Sequence, residues 1–413
     1  MTKYAPLDID FVRAQFPGLK QGWALFDNAG GTQILSRSVE RMNEFLFQTN
    51  VQTGGSYELS LKAAASMQAG REAMMRFVNA QRPEEIAFAA STTVALQNLA
   101  RSMRSQIVPG DEIIITVSDH ESNIGPWIGL EDAGATIKTW LIDKNTLELN
   151  LDDLAALLTE RTKLVAVTYV SNILGTINPI ADIAKVVHDN GARICVDAVA
   201  YAPHRAIDVA ALDVDYLAFS LYKVFGPHHA VLYGKYDLFV ELDNLYHYFY
   251  GKDKVPAKLE PGNASYELSY SATGIVDYFA ELGERAGATG SLREKIEAAF
   301  EQITEHENEI AERLLEYLRA RDDCRIVGFD HGDDPRRVPT ISFIIDGQDA
   351  GIIAEKIDAY HIAVRFGDFH ARRLAEYLDI TSNGGCVRVS MTHYNTLNEV
   401  DALITALDEV LQT

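Results

Sequence analysis

Two residues of this 413-residue chain are of types that do covalent and acid–base chemistry together: Lys223, in Phe219-Ser220-Leu221-Tyr222-Lys223-Val224-Phe225-Gly226-Pro227, and Asp197, in Arg193-Ile194-Cys195-Val196-Asp197-Ala198-Val199. A lysine between an apolar strand-like run, Tyr216 to Phe219, and a Gly-Pro turn is expected to be half buried. Burial disfavours the ammonium, lowers the pKa and frees a neutral amine as a nucleophile toward an aldehyde. A strand-end lysine that carries its charge out into water is the alternative. Asp197 ends an apolar, mostly β-branched run that reads as a buried strand. In open α/β sheets ligands collect outside the carboxyl ends of the strands, so Asp197 belongs at a crevice, and the strand from Tyr216 brings Lys223 to the same edge. A carboxylate that pairs a pyridinium nitrogen and a lysine that forms a Schiff base are the two groups pyridoxal phosphate needs most.

Three further segments carry chemistry of their own. Ser91-Thr92-Thr93-Val94-Ala95-Leu96 follows the run Ile86 to Ala89 and opens a helix, where backbone N–H groups and hydroxyls either face an anion or simply cap the helix. His120, in Ser118-Asp119-His120-Glu121-Ser122-Asn123, lies past the run Glu112 to Thr116; its flat ring suits stacking and proton relay, or capping of the next turn. Arg388 opens Arg-Val-Ser-Met-Thr-His-Tyr-Asn-Thr, and a planar guanidinium there binds a carboxylate bidentately or forms an ion pair on a strand.

The elements that must position these groups alternate between strand and helix patterns. Ile86 to Ala89, Glu112 to Thr116, Thr136 to Leu141, Leu164 to Tyr169, Ile194 to Val196, Tyr216 to Phe219 and Val231 to Tyr233 each read as short buried strands between helical stretches. That pattern predicts an α/β fold with a mostly parallel sheet covered on both faces. After Gly290 an amphipathic helix is expected over Leu292 to Arg319, then a strand over Thr340 to Ile345 within a smaller α+β region. A net charge of −22 spread along the chain excludes the basic stripe a nucleic-acid partner needs. No apolar run approaches the ~18 residues of a membrane span, and no basic and apolar leader is seen, so a cytoplasmic protein is expected. Three scattered cysteines, Cys195, Cys324 and Cys386, suit neither a disulfide framework nor a zinc site, and no metal site is expected.

In order and spacing, from Phe26-Asp27-Asn28-Ala29-Gly30-Gly31 to Arg388 and the residues after it, the chain resembles the class V aminotransferases of fold type I. This pyridoxal-phosphate-dependent family includes cysteine desulfurases, cyst(e)ine lyases and isopenicillin N epimerase-like proteins. The resemblance implies a large cofactor-binding domain over 26–285 with a mostly parallel seven-stranded sheet, and a small domain made of 1–25 and 286–413. It implies that Lys223 forms the imine and later acts as base at Cα, that Asp197 holds the pyridinium and that His120 stacks on the ring. Thr92, Thr93 and Ser220 would anchor phosphate, with Ser91 in place of a family glycine. Tyr222 stands where desulfurases have histidine. Asn172, in Val170-Ser171-Asn172-Ile173-Leu174-Gly175-Thr176, would lie near the phenolic oxygen or the substrate carboxylate. Arg388 would hold the α-carboxylate and Arg365 a second carboxylate or the far end of a substrate such as cystine. Asn263, in Glu260-Pro261-Gly262-Asn263, replaces a threonine that reaches the neighbour's phosphate in a homodimer with shared active sites.

Two departures from the family matter. In Val364-Arg365-Phe366-Gly367-Asp368-Phe369-His370-Ala371, His370 occupies the place of the desulfurase cysteine that accepts sulfur as a persulfide. Ala200 replaces the glutamine usually found beside the phenolic oxygen. The expectation is therefore a cysteine desulfurase-like carbon–sulfur lyase acting on a small amino acid by α,β-elimination, without an enzyme persulfide. Aminotransferase and epimerase chemistry are the alternatives. A catalytically silent binding protein on the same fold is the alternative of another class, against which the presence of both Lys223 and Asp197 argues.

Overall fold

The computed structural model describes residues 4–411. Seven strands form the central sheet: Ile86–Ala89 (β1), Glu112–Thr116 (β2), Thr136–Trp140 (β3), Thr162–Thr168 (β4), Arg193–Asp197 (β5), Tyr216–Ser220 (β6) and Ala230–Gly234 (β7). All seven lie where the alternation of patterns expects them, with ends displaced by a residue or two. Their order is β1-β7-β6-β5-β4-β2-β3; β7 runs antiparallel to both its neighbours and the other pairs are parallel.

Side chains alternate across a strand, so a continuous apolar run serves two cores. Ile114, Val165, Val167, Ile194 and Val196 join the core on one face, and Ile113, Ile115, Leu164, Ala166 and Cys195 the core on the other. The helix Thr92–Met103 covers the second face through Leu96, Leu99 and Met103, while the helices Ile180–Asp189 and Tyr266–Arg285 cover the first. At roughly 1.5–3 kcal/mol for each fully buried branched side chain, this two-sided burial holds the sheet rigid. The carboxyl ends of β2, β4, β5 and β6 therefore stand at fixed positions along one edge.

A second sheet is built from Cys324–Val327 (β8), Thr340–Ile345 (β9), Arg365–Gly367 (β10) and Cys386–Ser390 (β11), antiparallel throughout in the order β10-β11-β9-β8. It has its own core with the helix Leu397–Leu411. The long helix Leu292–Arg319 starts with a capping box, the Glu294 N–H donating to Ser291 Oγ at 3.3 Å and the Ser291 N–H donating to Glu294 Oε2 at 2.6 Å. This helix serves both cores, with Ile296, Phe300 and Ile303 in the large one and Ile310, Leu314 and Leu318 in the small one. The amino-terminal segment divides in the same way: Val12 and Phe16 pack in the large core, Phe26 in the small one, and Ala24–Leu25 pair in parallel with Ile362–Ala363. Among the described residues no helix is long and apolar enough to cross a membrane.

The two sheets meet where the loop after β4 approaches β9. Gly175 sits at φ +69°, and a Cβ there would lie 2.4 Å from the Thr340 carbonyl oxygen, so only glycine allows the approach. Asn172 is thereby pressed against the small sheet and Arg388.

Candidate active site

The carboxyl edge of the large sheet and the edge of the small one enclose a cavity of about 380 Å³, within the range of small-molecule sites. Thr92, Thr93, His120, Asn172, Asp197, Ser220, Tyr222, Lys223, Arg365 and Arg388 all line it. Asn263 does not: it lies on an exposed loop at φ +67°, its amide donating to the Tyr266 hydroxyl at 3.4 Å.

Lys223 ends the single turn Leu221–Lys223 that follows β6. Its Nζ donates to the Ala29 carbonyl, and Thr32 braces the turn by donating from its N–H and its hydroxyl to the Tyr222 carbonyl at 3.1 and 3.0 Å. Burial first, then the Arg388 charge, bring the Lys223 ammonium down to about 7, against the pull of Asp27 and Asp197. The neutral amine is thus available near neutral pH. Asp197, at the end of β5, is 4% exposed, and one carboxylate oxygen accepts the Val199 N–H at 2.9 Å. Burial raises it to about 6, opposed by the Val199 N–H and by Lys223. A buried carboxyl with so little compensation is suited to receive a cationic ring nitrogen.

His120 is fixed by a buried network below it. Asn123 donates to Asp119 at 2.7 Å, Trp127 Nε1 donates to Asn123 Oδ1 at 3.0 Å, and the Thr116 hydroxyl donates to the other Asp119 oxygen. The Ser122 N–H donates to His120 Nδ1 at 3.0 Å, so in the neutral ring the proton is on Nε2. Burial, with His370, Lys223 and Arg388 adding positive charge, lowers His120 to about 4. The ring is therefore a flat neutral surface near pH 7 rather than a titrating one.

Hydroxyl groups cluster where the helix Thr92–Met103 begins. Thr92 Oγ1 pairs with Ser220 Oγ at 2.7 Å and Thr93 Oγ1 with Ser122 Oγ at 2.7 Å, while Ser91 caps the helix by accepting the Val94 N–H at 3.2 Å. First-turn N–H groups and hydroxyls at a helix N-terminus are groups that favour an anion. Tyr222 stacks on His228 with ring centroids 4.6 Å apart, and burial keeps its phenol protonated.

At the small sheet, Arg365 and Arg388 are direct cross-strand partners. Like charges placed opposite one another repel. Asp27 lies between them, 3.1 Å from Arg388 Nη2 and 3.4 Å from Arg365 Nη1. One carboxylate against two guanidiniums leaves this group of three with a net positive charge. Arg388 Nη1 also donates to the Asn172 carbonyl at 3.1 Å, and its guanidinium carbon lies 3.8 Å from the centre of the Phe369 ring. Arg388 Nε and Asn172 Oδ1 are buried without a partner among the described residues. Unpaired buried donors and acceptors beside a cavity mark positions a bound molecule would satisfy.

Asp27 and its neighbour Asn28 entered the sequence analysis only as part of the run in which the family resemblance begins; nothing in the local pattern marks Asp27 as the counter-ion of two distant arginines. His204 was likewise missed. It lines the cavity with Nδ1 2.9 Å from Glu307 Oε1, a residue wholly buried on the long helix, while Arg205 donates to Oε2 at 3.1 Å. Cys195, Cys324 and Cys386 are free thiols, and none of them lines the cavity. Burial raises the thiol pKa of all three, to about 12 for Cys324 and about 11 for Cys386.

The pattern of the family described as Aminotransferase class-V matches residues 24–403. The chain is 42% identical over 411 residues to the aminotransferase-like protein FGM3 of Gibberella zeae, covering 98% of both. It is 33% identical over 418 residues to the cysteine desulfurase-like protein ustD of Aspergillus flavus, covering 98% of this chain and 91% of that one. Its fold superposes on the cysteine desulfurase CsdA of Escherichia coli with a TM-score of 0.84, 26% identity and 99% of both chains covered.

Proposed function

From the chain's membership of the class V aminotransferase family, cysteine desulfurase-like enzymes of fold type I that use pyridoxal phosphate, we propose that it is a carbon–sulfur lyase releasing sulfur from a small amino acid by α,β-elimination. The observation that carries this reading is the cavity's composition: a near-neutral amine, a carboxylate-binding pair of arginines and, in the loop opposite, His370 with no cysteine among the lining residues. A thiolate able to take sulfur as a persulfide is exposed and of low pKa. All three thiols here are raised in pKa, and Cys195 and Cys386 are buried as well.

The residues present fit the cofactor. The carboxyl of Asp197, raised to about 6, would hold its ring nitrogen; Thr92, Thr93 and Ser220 would hold the phosphate; the neutral His120 ring would lie against it; and the unpaired Asn172 Oδ1 would accept a hydrogen bond nearby. Pyridoxal phosphate supplies an electron sink for the charge that develops at Cα. The chain's own groups do the rest. Arg388 orients the α-carboxylate through its free Nε edge, Arg365 receives a second carboxylate or the far end of the substrate, and the Lys223 amine takes the Cα proton. The Asp27 and Asn172 contacts keep Arg388 from rotating, so the Cα–H bond is presented to Lys223 in one geometry.

The assembly we propose is a homodimer in which Asn263 completes the partner's phosphate site. Support comes from the exposed apolar residues Phe47, Tyr57, Leu59 and Leu61, beside a loop in which Thr53 lies 3.3 Å from the Tyr266 hydroxyl that also holds Asn263. The division into domains we propose is 26–285 for the large one and 1–25 with 286–413 for the small one, with Val12, Phe16, the first half of the long helix and the segment after β10 packed on the large core. Three free thiols accord with a cytoplasmic location.

A product screen tests the reading. The protein loaded with pyridoxal phosphate is incubated with cysteine, cystine and other amino acids, and pyruvate, ammonia, sulfide, optical rotation and keto-acid dependence are followed. Pyruvate with ammonia and released sulfur is the expected result. Loss of optical rotation alone, or turnover only with a keto acid, replaces the lyase by an epimerase or an aminotransferase.

A further inference from the structure

The loop after β10 folds back into the cavity mouth in an unusual backbone conformation. Phe369 and His370, neither of them glycine, both adopt left-handed φ values, +52° and +60°. Residues with a Cβ avoid that region unless surrounding contacts impose it, and such outliers gather at functional sites. The imposing contacts are present. Asn172 Nδ2 donates to the Phe369 carbonyl at 2.8 Å, the Glu121 N–H donates to the His370 carbonyl at 2.9 Å, and the Phe369 ring packs on Arg388. Arg373 pairs with Glu121 at 2.8 Å, tying the loop to the segment that carries His120. As a result the His370 ring lies with its centroid 5.4 Å from that of His120, lining the same cavity as Lys223 and Arg388.

The other proton carriers of the cavity are less suited: burial and nearby positive charge hold His120 neutral near pH 7, burial keeps the Tyr222 phenol from ionising, His204 Nδ1 is held by Glu307, and Lys223 is the base at Cα. The ring nitrogens of His370 take no hydrogen bond among the described residues, and the side chain is reachable from solvent. Imidazole is the side chain suited to give up a proton and regain it near neutral pH.

We propose that His370 is a catalytic residue, the acid that protonates the departing sulfur. As the Cβ–S bond breaks, its electron pair stays on sulfur, and the proton on a His370 ring nitrogen moves to that sulfur, so a neutral thiol or hydrogen sulfide leaves. The ring regains a proton from water. One proton is taken from Cα by Lys223 and one is given to sulfur by His370. The inference rests on the lyase reading and assigns to position 370 the discharge of sulfur to solvent.

Leaving-group dependence tests it. Chloride departs without a proton, whereas the sulfur of cysteine needs one. Initial rates of pyruvate release from L-cysteine and from β-chloro-L-alanine are compared for the loaded enzyme and its His370→Asn variant, asparagine being a residue that tolerates left-handed φ. The variant is expected to lose about 10²- to 10³-fold with cysteine and to keep its rate with chloroalanine, which also shows that it folds and binds. His370→Gln, made in parallel, gives the same comparison should the first variant be unstable. Equal slowing with both substrates, or an unchanged rate with cysteine, overturns the role of His370 and leaves the lyase intact. A wild-type enzyme that forms no pyruvate from cysteine sinks the lyase reading, and His370 as its acid with it.

Discussion

At the scale of single residues, the cavity is a set of charges held where water would not leave them. Lys223 titrates near 7 in the fold against 10.5 free, so from pH 7 to 10.5 the unfolded chain binds a proton that the fold does not. Stability of the cofactor-free protein therefore rises with pH across that window, and below it the fold bears a buried ammonium. Lys223→Met should remove that slope and raise stability at pH 7. The ceiling is ~5 kcal/mol at about 1.4 kcal/mol per pH unit, and residual solvent contact brings the expected gain nearer ~2 kcal/mol; paired denaturant titrations of the cofactor-free proteins at pH 7 and 9.5 measure it. Asp27 sits in the opposite position, since it stabilises two arginines while competing for them with any incoming carboxylate. Asp27→Asn should cost roughly 1–3 kcal/mol of stability yet bind carboxylate ligands more tightly by roughly fivefold, about 1 kcal/mol. A melting curve and an inhibitor titration that moved in the same unfavourable direction would assign Asp27 to substrate binding itself.

At the scale of elements, the edge strand β1 shows how a loop is fixed to a sheet. Glu260 accepts the Phe88 N–H of β1 at 2.6 Å with one oxygen and pairs with Arg71 at 2.5 Å with the other, while Arg71 donates to the Ile86 carbonyl at 2.6 Å. Both side chains are buried, 9% and 3% exposed. Removing the charge of one partner leaves the other buried without compensation. Glu260→Gln should thus cost roughly 3 kcal/mol, read from equilibrium unfolding, and should loosen the loop that carries Asn263. Equal stability of the two proteins would mean that Arg71 is satisfied by the Ile86 carbonyl and water. The seven strands were legible because a two-sided buried strand is a short apolar run between turns. The helix Leu292–Arg319 was legible because its 28 residues repeat the helical period. The short strand β10 and the pairing of Ala24–Leu25 with Ile362–Ala363 were not, since two or three residues carry no period.

At the scale of the whole molecule, the cavity lies between two cores and the chain crosses between them by the long helix, the amino-terminal segment and the segment after β10, whose Phe369, Leu374 and Ile380 pack in the large core. The homodimer proposal makes a further expectation. Lys223→Met protein mixed with Asn263→Glu protein should recover activity that neither has alone, up to roughly a quarter of wild type, because one heterodimer site in two regains both wild-type residues. Glutamate at 263 repels a phosphate, which is why it is chosen. Activity that stays at the level of the separate variants would place Asn263 in its own chain's site or in none.

What the sequence by itself determined was the order of elements and the chemical types at the strand ends. Short apolar runs and turn residues are local, and Lys223, Asp197, His120 and Thr92 each stand at the end of an element that the local pattern reveals. What only the tertiary structure decided was which distant groups share a field. The repulsion of Arg365 and Arg388 across a strand pair, its relief by Asp27, the neutrality of His120 and the turning of His370 into the cavity all depend on contacts between segments far apart in the chain. Electrostatic and packing energies follow distance in space, and no spacing along the sequence encodes it.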